Sequence, residues 1–253
     1  LVIIDEQHKF GVHQRMILST KGKKYDTYPH QLILTATPIP RTLAMTLYGN
    51  LDYSVIDEMP RGRQEIDTIA LPEDRRNEVL ERITSKCKDG SQVYWVCPLI
   101  DESEVMECKA ATNTYEELCL KLKDINIGLI HGRMKMQEKE KVMNDFRSKK
   151  IDLLVSTTII EVGLDIPNAT VIIIENSERM GLSQLHQLRG RVGRGEKKSN
   201  CILIYKSGLS EIAKNRIDIL RRCRNGFDIA KEDLDIRGPG EILGKKTKRG
   251  YKF

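Results

Sequence analysis

Residues 127–156 read IGLIHGRMKMQEKEKVMNDFRSKKIDLLVS. Two short apolar runs, Ile127-Gly-Leu-Ile130 and Leu153-Leu-Val155, flank a charged stretch in which Val142, Met143 and Phe146 share one side. Apolar runs without polar alternation read as strands buried on both faces. The 142/143/146 spacing reads as a helix with one apolar face. A strand near 127–130, a helix over 137–148 and a strand over 152–156 follow. The same alternation extends outward. Strands are predicted at 92–97, 171–175 and 201–205, and helices at 73–88, 112–124 and 183–189, the first with Val79, Leu80, Ile83 and Cys87 on one side. Alternating strands and helices predict an α/β fold, a parallel sheet covered by helices on both faces. Such sheets bind ligands at the carboxyl ends of their strands, so the loops there are expected to carry the chemistry.

Toward the start, Leu1-Val-Ile-Ile-Asp5 and Gln31-Leu-Ile-Leu-Thr35 read as two more buried strands. A buried strand at the first residue leads us to expect that the start of its domain lies upstream. Pro38 and Pro40 break the chain before a short helix at 41–48. Residues 57–67, with Pro60, Gly62 and alternating charges, show no periodic apolar face and read as a linker. Beyond 208, Ala213, Ile217 and Leu220 mark a helix studded with Lys214, Arg216, Arg221, Arg222 and Arg224. Gly226 is expected to end it, with a second helix near 229–235 and a break at Gly238-Pro-Gly240. This divides the chain into 1–58, a connecting segment 59–72, a central domain 73–206 and a helical tail 207–253.

The 253 residues are 40% hydrophobic and 31% charged, which suits a core-forming chain and excludes disorder as its main description. No apolar run approaches the ~20 residues that span a bilayer, and no signal peptide is visible. Cys87, Cys97, Cys108, Cys119, Cys201 and Cys223 form no C-x-x-C pair, the pattern of ordinary thiols in a reducing compartment. The net charge of +6 is unevenly placed: residues 206–253 hold 13 Lys and Arg against 7 Asp and Glu, and residues 1–205 balance. A basic tail on a neutral body points to a polyanion partner; the same charges also suit a solvated helical face.

Four stretches lie where chemistry is expected. Asp5-Glu6 ends the first strand, where an Asp can hold nucleotide-bound Mg²⁺ through water and the Glu can polarise an attacking water. Taken alone it is also a solvated strand end. The phosphate-cradling partner G-x-x-x-x-G-K-[ST] is absent: the only Gly-Lys pairs, Gly22-Lys23 and Gly244-Lys245, lack its first Gly. Thr35-Ala-Thr37-Pro38 follows the second strand, as a contact point or an ordinary turn. Residues 156–165, Ser-Thr-Thr-Ile-Ile-Glu-Val-Gly-Leu-Asp, offer hydroxyls suited to nucleic-acid phosphates, a tight turn at Gly163 and an Asp165 able to contact a ribose or an Arg; the alternative is a capped turn. Gln187-Leu-Arg-Gly-Arg191-Val-Gly-Arg194-Gly is the most specific. Its glycine-separated arginines can present planar, always-charged forks to one anion and, supplied from a second domain, act as arginine fingers.

In order and spacing these stretches resemble the motifs of superfamily 2 helicases. Asp5-Glu-Gln-His8 resembles motif II, Thr35-Ala-Thr37 motif III, 93–99 motif IV, 156–165 motif V and 187–194 motif VI. The flanks Asp5-Glu-Gln-His-Lys-Phe-Gly-Val12, Thr37-Pro-Ile-Pro-Arg-Thr-Leu43, His131-Gly-Arg-Met134 and Asp235-Ile-Arg-Gly-Pro-Gly-Glu-Ile-Leu-Gly244 are similar to the RecG family of bacterial branched-DNA helicases. The related Mfd translocases typically carry Glu where Gln7 stands. The resemblance implies RecA-like parallel sheets: a partial first lobe, a complete second lobe and a helical hairpin that couples lobe closure to DNA movement, with ATP in the cleft. It implies that Asp5 and Glu6 serve Mg²⁺ and water, with Gln7, His8, Gly163 and Asp165 near the nucleotide. Gln187, Arg191 and Arg194 would reach across from the second lobe. Thr35, Thr37, His131, Thr157, Thr158 and Arg237 would serve DNA contact or coupling. The tail departs from the family pattern at Gly244-Lys-Lys-Thr247, where a Gln is expected and absent.

The expected function is therefore the C-terminal part of an ATP-dependent helicase remodelling stalled forks and junctions. It would need the missing N-terminal part of the same protein, work as a monomeric motor, and reside in the bacterial cytoplasm at the nucleoid. The alternatives are an Mfd-like duplex translocase and a non-catalytic DNA-binding module. Lacking the phosphate loop, the 253 residues alone are expected to hydrolyse negligible ATP.

Overall fold

A computed structural model describes residues 1–6, 29–35, 64–98, 104–157 and 166–237, with isolated positions 17, 27, 52, 54–56 and 58. The expected helix at 41–48 lies outside these residues, as do Gln7, His8, Thr37, Thr158, Gly163, Asp165 and the break at 238–240.

The described strands are β1 (Val2–Ile4), β2 (Gln31–Ile33), β3 (Ile66–Pro72), β4 (Gln92–Val96), β5 (Ile127–Ile130), β6 (Leu153–Ser156), β7 (Ala169–Ile174) and β8 (Ser199–Tyr205). The described α-helices are α1 (Arg76–Lys88), α2 (Glu104–Lys121), α3 (Met136–Arg147), α4 (Leu182–Arg189), α5 (Glu211–Arg222) and α6 (Gly226–Arg237). Strands β3 to β8 form one sheet in the order β3-β8-β7-β4-β6-β5, with every pair parallel.

Period-two alternation sends the strand side chains into two cores. Tyr94, Val96, Leu154, Ile172, Ile174 and Leu203 meet Met143 and Phe146 of α3, Leu185 and Leu188 of α4, Ile217 and Leu220 of α5, and Ile229 of α6. Val93, Trp95, Leu153, Val155, Ile173 and Ile202 meet Val79 and Ile83 of α1 and Ala111 and Leu118 of α2. Covered on both sides, β4 is buried at all five positions, which is why its sequence shows no polar alternation. Gln92 is the polar exception, and its side-chain amide donates to the carbonyls of Phe146 and Ile151, the latter at 2.8 Å. That ties the turn after α3 to the start of β4.

Several expectations need correction. Part of the segment read as linker, residues 66–72, is strand β3. It pairs with β8 from Ile66↔Ser199 to Pro72↔Tyr205. An edge strand tolerates Asp67 on an exposed side and Pro72 at its end, so it lacks the continuous apolar run of the inner strands. Helix α2 begins at Glu104 rather than near 112. Gly226 does not end α5: that helix stops at Arg222, Cys223 is extended, and Gly226 opens α6.

Strands β1 and β2 form a separate parallel pair, Val2↔Gln31 to Ile4↔Ile33. They were expected to be buried on both faces. Among the described residues Ile4 is buried, but Ile3 and Leu32 are 59% and 47% exposed; a two-stranded sheet has no inner strand to enclose. No described helix is long and apolar enough to cross a membrane.

Candidate functional site

Asp5 and Glu6 follow β1 directly, and Thr35 follows β2 after Leu34, whose N–H donates to the Ile4 carbonyl at 2.8 Å. The parallel register thus puts the expected Mg²⁺ and contact residues at two neighbouring carboxyl ends. Glu6 takes a left-handed φ of 52°, and its N–H donates to Asp5 Oδ1 at 2.8 Å. Asp5 is exposed.

The carboxyl ends of β5 and β6 form a second group. Ile130 pairs with Ser156, and Thr157 N–H donates to the Ile130 carbonyl at 3.3 Å. This sets His131 beside Ser156 and Thr157. Ser156 and Thr157 are 0% and 1% exposed, and their hydroxyls make no hydrogen bond; nor does the buried His131 Nδ1. Three orphaned polar atoms at adjacent strand ends are a departure from the usual satisfaction of buried groups. Arg133 and Lys135 are exposed beside them, Lys139 Nζ donates to the Gly132 carbonyl at 2.6 Å, and Glu138 caps α3 by accepting from Lys135 N–H at 3.0 Å. Burial pushes the His131 pKa below its usual 6.5, and the cations Lys139 and Arg133 add to that against Glu138. The group can receive an anion with a neutral imidazole and two hydroxyls.

The third group lies on α4 and the loop after it. Leu182, Leu185, Leu188 and Arg189 are buried. Gln187 and Arg191 are half-buried, and Arg194 is exposed. Arg189, not among the expected site residues, is 5% exposed. Its guanidinium donates to the carbonyls of Leu220 at 2.8 Å, Cys223 at 2.9 Å and Arg224 at 3.3 Å, and meets His186 Nδ1 at 3.0 Å. It therefore satisfies carbonyls at the end of α5, which a helix leaves unpaired, and joins the arginine stretch to the tail. Its helical spacing from Leu182 and Leu185 placed it on the buried face and was the available signal. Arg237 closes α6; its side chain lies outside the described residues.

A fourth group was not anticipated. Arg76, 15% exposed, pairs with Glu175 at 2.8 Å and Glu117 at 2.7 Å, and its guanidinium carbon lies 4.9 Å from the Trp95 ring centroid. Burial opposes the Arg76 charge, but Glu175 and Glu117 outweigh it and hold its pKa above the ordinary value. The partners lie 99 and 41 residues away, so no local pattern signals them. With both carboxylates taken up, this cluster braces α1, α2 and β7 rather than facing a ligand. The six cysteines are free, and burial, with Asp152 adding, pushes Cys87 up to about 12. Among the described residues no cluster of His, Cys, Asp and Glu could hold a metal ion.

The six-stranded sheet and its helices define the class: they have the fold of a RecA-like C-terminal helicase lobe. Residues 75–196 match the helicase conserved C-terminal domain. Within that class the sequence is similar to RecG along its whole length. It is 57% identical to the ATP-dependent DNA helicase RecG of Escherichia coli O157:H7 over 254 residues, covering 100% of this chain and 37% of that protein. It is 59% identical to RecG of Pasteurella multocida, over 97% of this chain and 36% of the relative. A solved structure of RecG bound to a three-way DNA junction superposes with a TM-score of 0.74 at 46% identity, covering 95% of this chain and 30% of that one. The yeast protein Dbp5 bound to RNA and ADP BeF3, at 16% identity and a TM-score of 0.61, shares the fold alone. The chain spans little more than a third of the length of the curated relatives it matches.

Proposed function

We propose that this chain is the C-terminal part of an ATP-dependent DNA helicase that remodels branched DNA, stalled forks and junctions, in repair and recombination. The observation that carries the reading is the stretch Gln187–Arg194, set on the end of α4 and the loop after it in a chain whose whole sequence is similar to RecG. The rest of the motor, including a phosphate loop, would come from the same polypeptide, acting as a monomer in the cytoplasm at the nucleoid.

In this reading Gln187, Arg191 and Arg194 reach an ATP γ-phosphate from the second lobe. The charges of Arg191 and Arg194 stabilise the transition state of phosphoryl transfer, Gln187 adds a hydrogen bond, and Glu6 orients the attacking water. Gln7, His8, Gly163 and Asp165 line the nucleotide. Asp5 would hold Mg²⁺ through water; its exposed carboxylate, with one oxygen occupied by the Glu6 N–H, fits that role. The ion would neutralise phosphate charge. His131, Thr157 and Thr158 take DNA phosphates, which suits the orphaned hydroxyl and imidazole at the ends of β5 and β6. Thr35, Thr37 and Arg237 serve contact or coupling between ATP and DNA.

The test uses the longer polypeptide that carries this chain. DNA-stimulated ATP hydrolysis and unwinding of a model fork are expected, and Arg191→Ala should lower kcat by about 10³-fold or more. Duplex translocation without fork unwinding would select the Mfd-like alternative. DNA binding without DNA-stimulated ATP turnover would sink the motor reading.

A further inference from the structure

Two parts of the molecule meet at residues 64–66, where the connecting segment enters the large sheet, and a third joins them through Arg224. The first is the arginine loop. Gly193, between Arg191 and Arg194, has φ 78°, and a Cβ there would stand 2.8 Å from Ile66 Cγ1 and 3.4 Å from the Gln64 carbonyl oxygen. A glycine is required both by that backbone conformation and by the close approach. The loop thus lies directly on the first residue of β3. Its far end is seated too, because a Cβ on Gly195 would stand 2.6 Å from the Pro167 carbonyl oxygen. The second part is the tail: Arg224, in the turn between α5 and α6, forms an ion pair with Glu65. The third is α4, whose Arg189 donates to the carbonyl of that same Arg224. Arginine loop, α4, tail turn and connecting segment close a ring of contacts around Glu65 and Ile66.

We propose that Ile66 is a positioning residue for the arginine loop, and that Glu65 holds the tail turn to the same seat, so that the segment joining the lobes moves loop and tail together. This rests on the ATP-driven reading above. An arginine acting on a transferring phosphoryl group is sensitive to displacements of about 1 Å, and Ile66 is what the loop backbone rests on. Ile66 is itself fixed by its register with Ser199 of β8. Element-terminal residues are where hinge motion is absorbed. The Glu65–Arg224 pair is exposed, 70% and 61%, so its contribution to stability is small and its effect is on orientation.

Two measurements test this. In the 253-residue chain, amide hydrogen exchange over 190–195 should rise about tenfold in Ile66→Ala, while α3 is unchanged and Ile66→Val stays near the parent. Unchanged exchange at the loop overturns the seat, whatever the fate of the helicase reading. In the longer polypeptide, Ile66→Ala should lower the kcat of DNA-stimulated ATP hydrolysis about ten- to a hundredfold, with KM for ATP altered less than about twofold. Ile66→Val should retain kcat. Glu65→Arg or Arg224→Glu alone should reduce base pairs moved per ATP while ATP turnover persists, and the double exchange should restore them. A KM rise at constant kcat, or single charge variants that move DNA like the parent, would overturn the proposal. If the unmutated polypeptide hydrolyses no ATP on DNA, the motor reading fails instead, and the exchange result still decides the contact.

Discussion

His131 sits at the end of a buried strand, half-buried, with its Nδ1 unpaired and the cations Arg133 and Lys139 near it. Burial, with the cations Lys139 and Arg133 adding to it against Glu138, favours the neutral ring, so its folded pKa lies below 6.5. The unfolded chain then binds more protons than the folded one as the pH falls below about 6.5. Stability supplied by the neutral ring is full above that point and is lost as the pH drops through the folded pKa. Urea unfolding of the chain between pH 7.5 and 5 should show this, and His131→Asn should remove part of the slope. An identical slope in the variant would mean that the ring titrates as it does in water. If the group takes DNA phosphates as proposed, at neutral pH it would meet them with hydrogen bonds rather than a third positive charge.

At the scale of elements, α4 and α5 are joined by one side chain. Arg189 supplies donors to three carbonyls, Leu220 in the last turn of α5 and Cys223 and Arg224 just beyond it. Arg189→Met keeps much of the volume and removes every donor, leaving buried carbonyls unsatisfied. A loss of about 2–3 kcal/mol is expected in urea unfolding, with faster trypsin cleavage at Arg221 to Arg224. A loss under about 0.5 kcal/mol, the range of ordinary surface changes, would show that the tail is held by its apolar face alone. This junction also marks where sequence reading stopped. The inner strands β4, β6, β7 and β8 are legible because burial on both faces demands continuous apolar runs. Strand β3 was not, because as an edge strand it carries Ile66-Asp-Thr-Ile-Ala70, half-polar and close to Pro60 and Gly62. Gln187, Arg191 and Arg194 announced themselves by their glycine-separated spacing. Arg189, in the same stretch, did not, since its partners lie 31 to 35 residues away. The Arg76–Glu175 pair was illegible for the same reason.

Over the whole molecule, the charge count gains a structure that the arithmetic lacked. Residues 206–253 hold the entire excess of six positive charges, but much of it is already engaged. Arg216 donates to the Met180 carbonyl, Arg221 pairs with Asp218, Arg222 with Glu232 and Arg224 with Glu65. A cation with a carboxylate partner releases fewer counterions when it meets a phosphate, so these arginines should add little to the salt dependence of DNA binding. Beyond these four, the sequence places nine Lys and Arg in the segment, five of them at 245, 246, 248, 249 and 252. The chain should bind duplex DNA weakly, with log K falling against log salt by about 0.9 per phosphate neutralised. Removing residues 241–253 should flatten that slope by more than Arg221→Ala with Arg222→Ala does, in fluorescence anisotropy across a salt series. If the two changes flatten it equally, the helical arginines are contacting DNA despite their carboxylates. If neither does, the anion surface lies on the body, and the unpaired hydroxyls of Ser156 and Thr157 beside His131 become the first place to look for it.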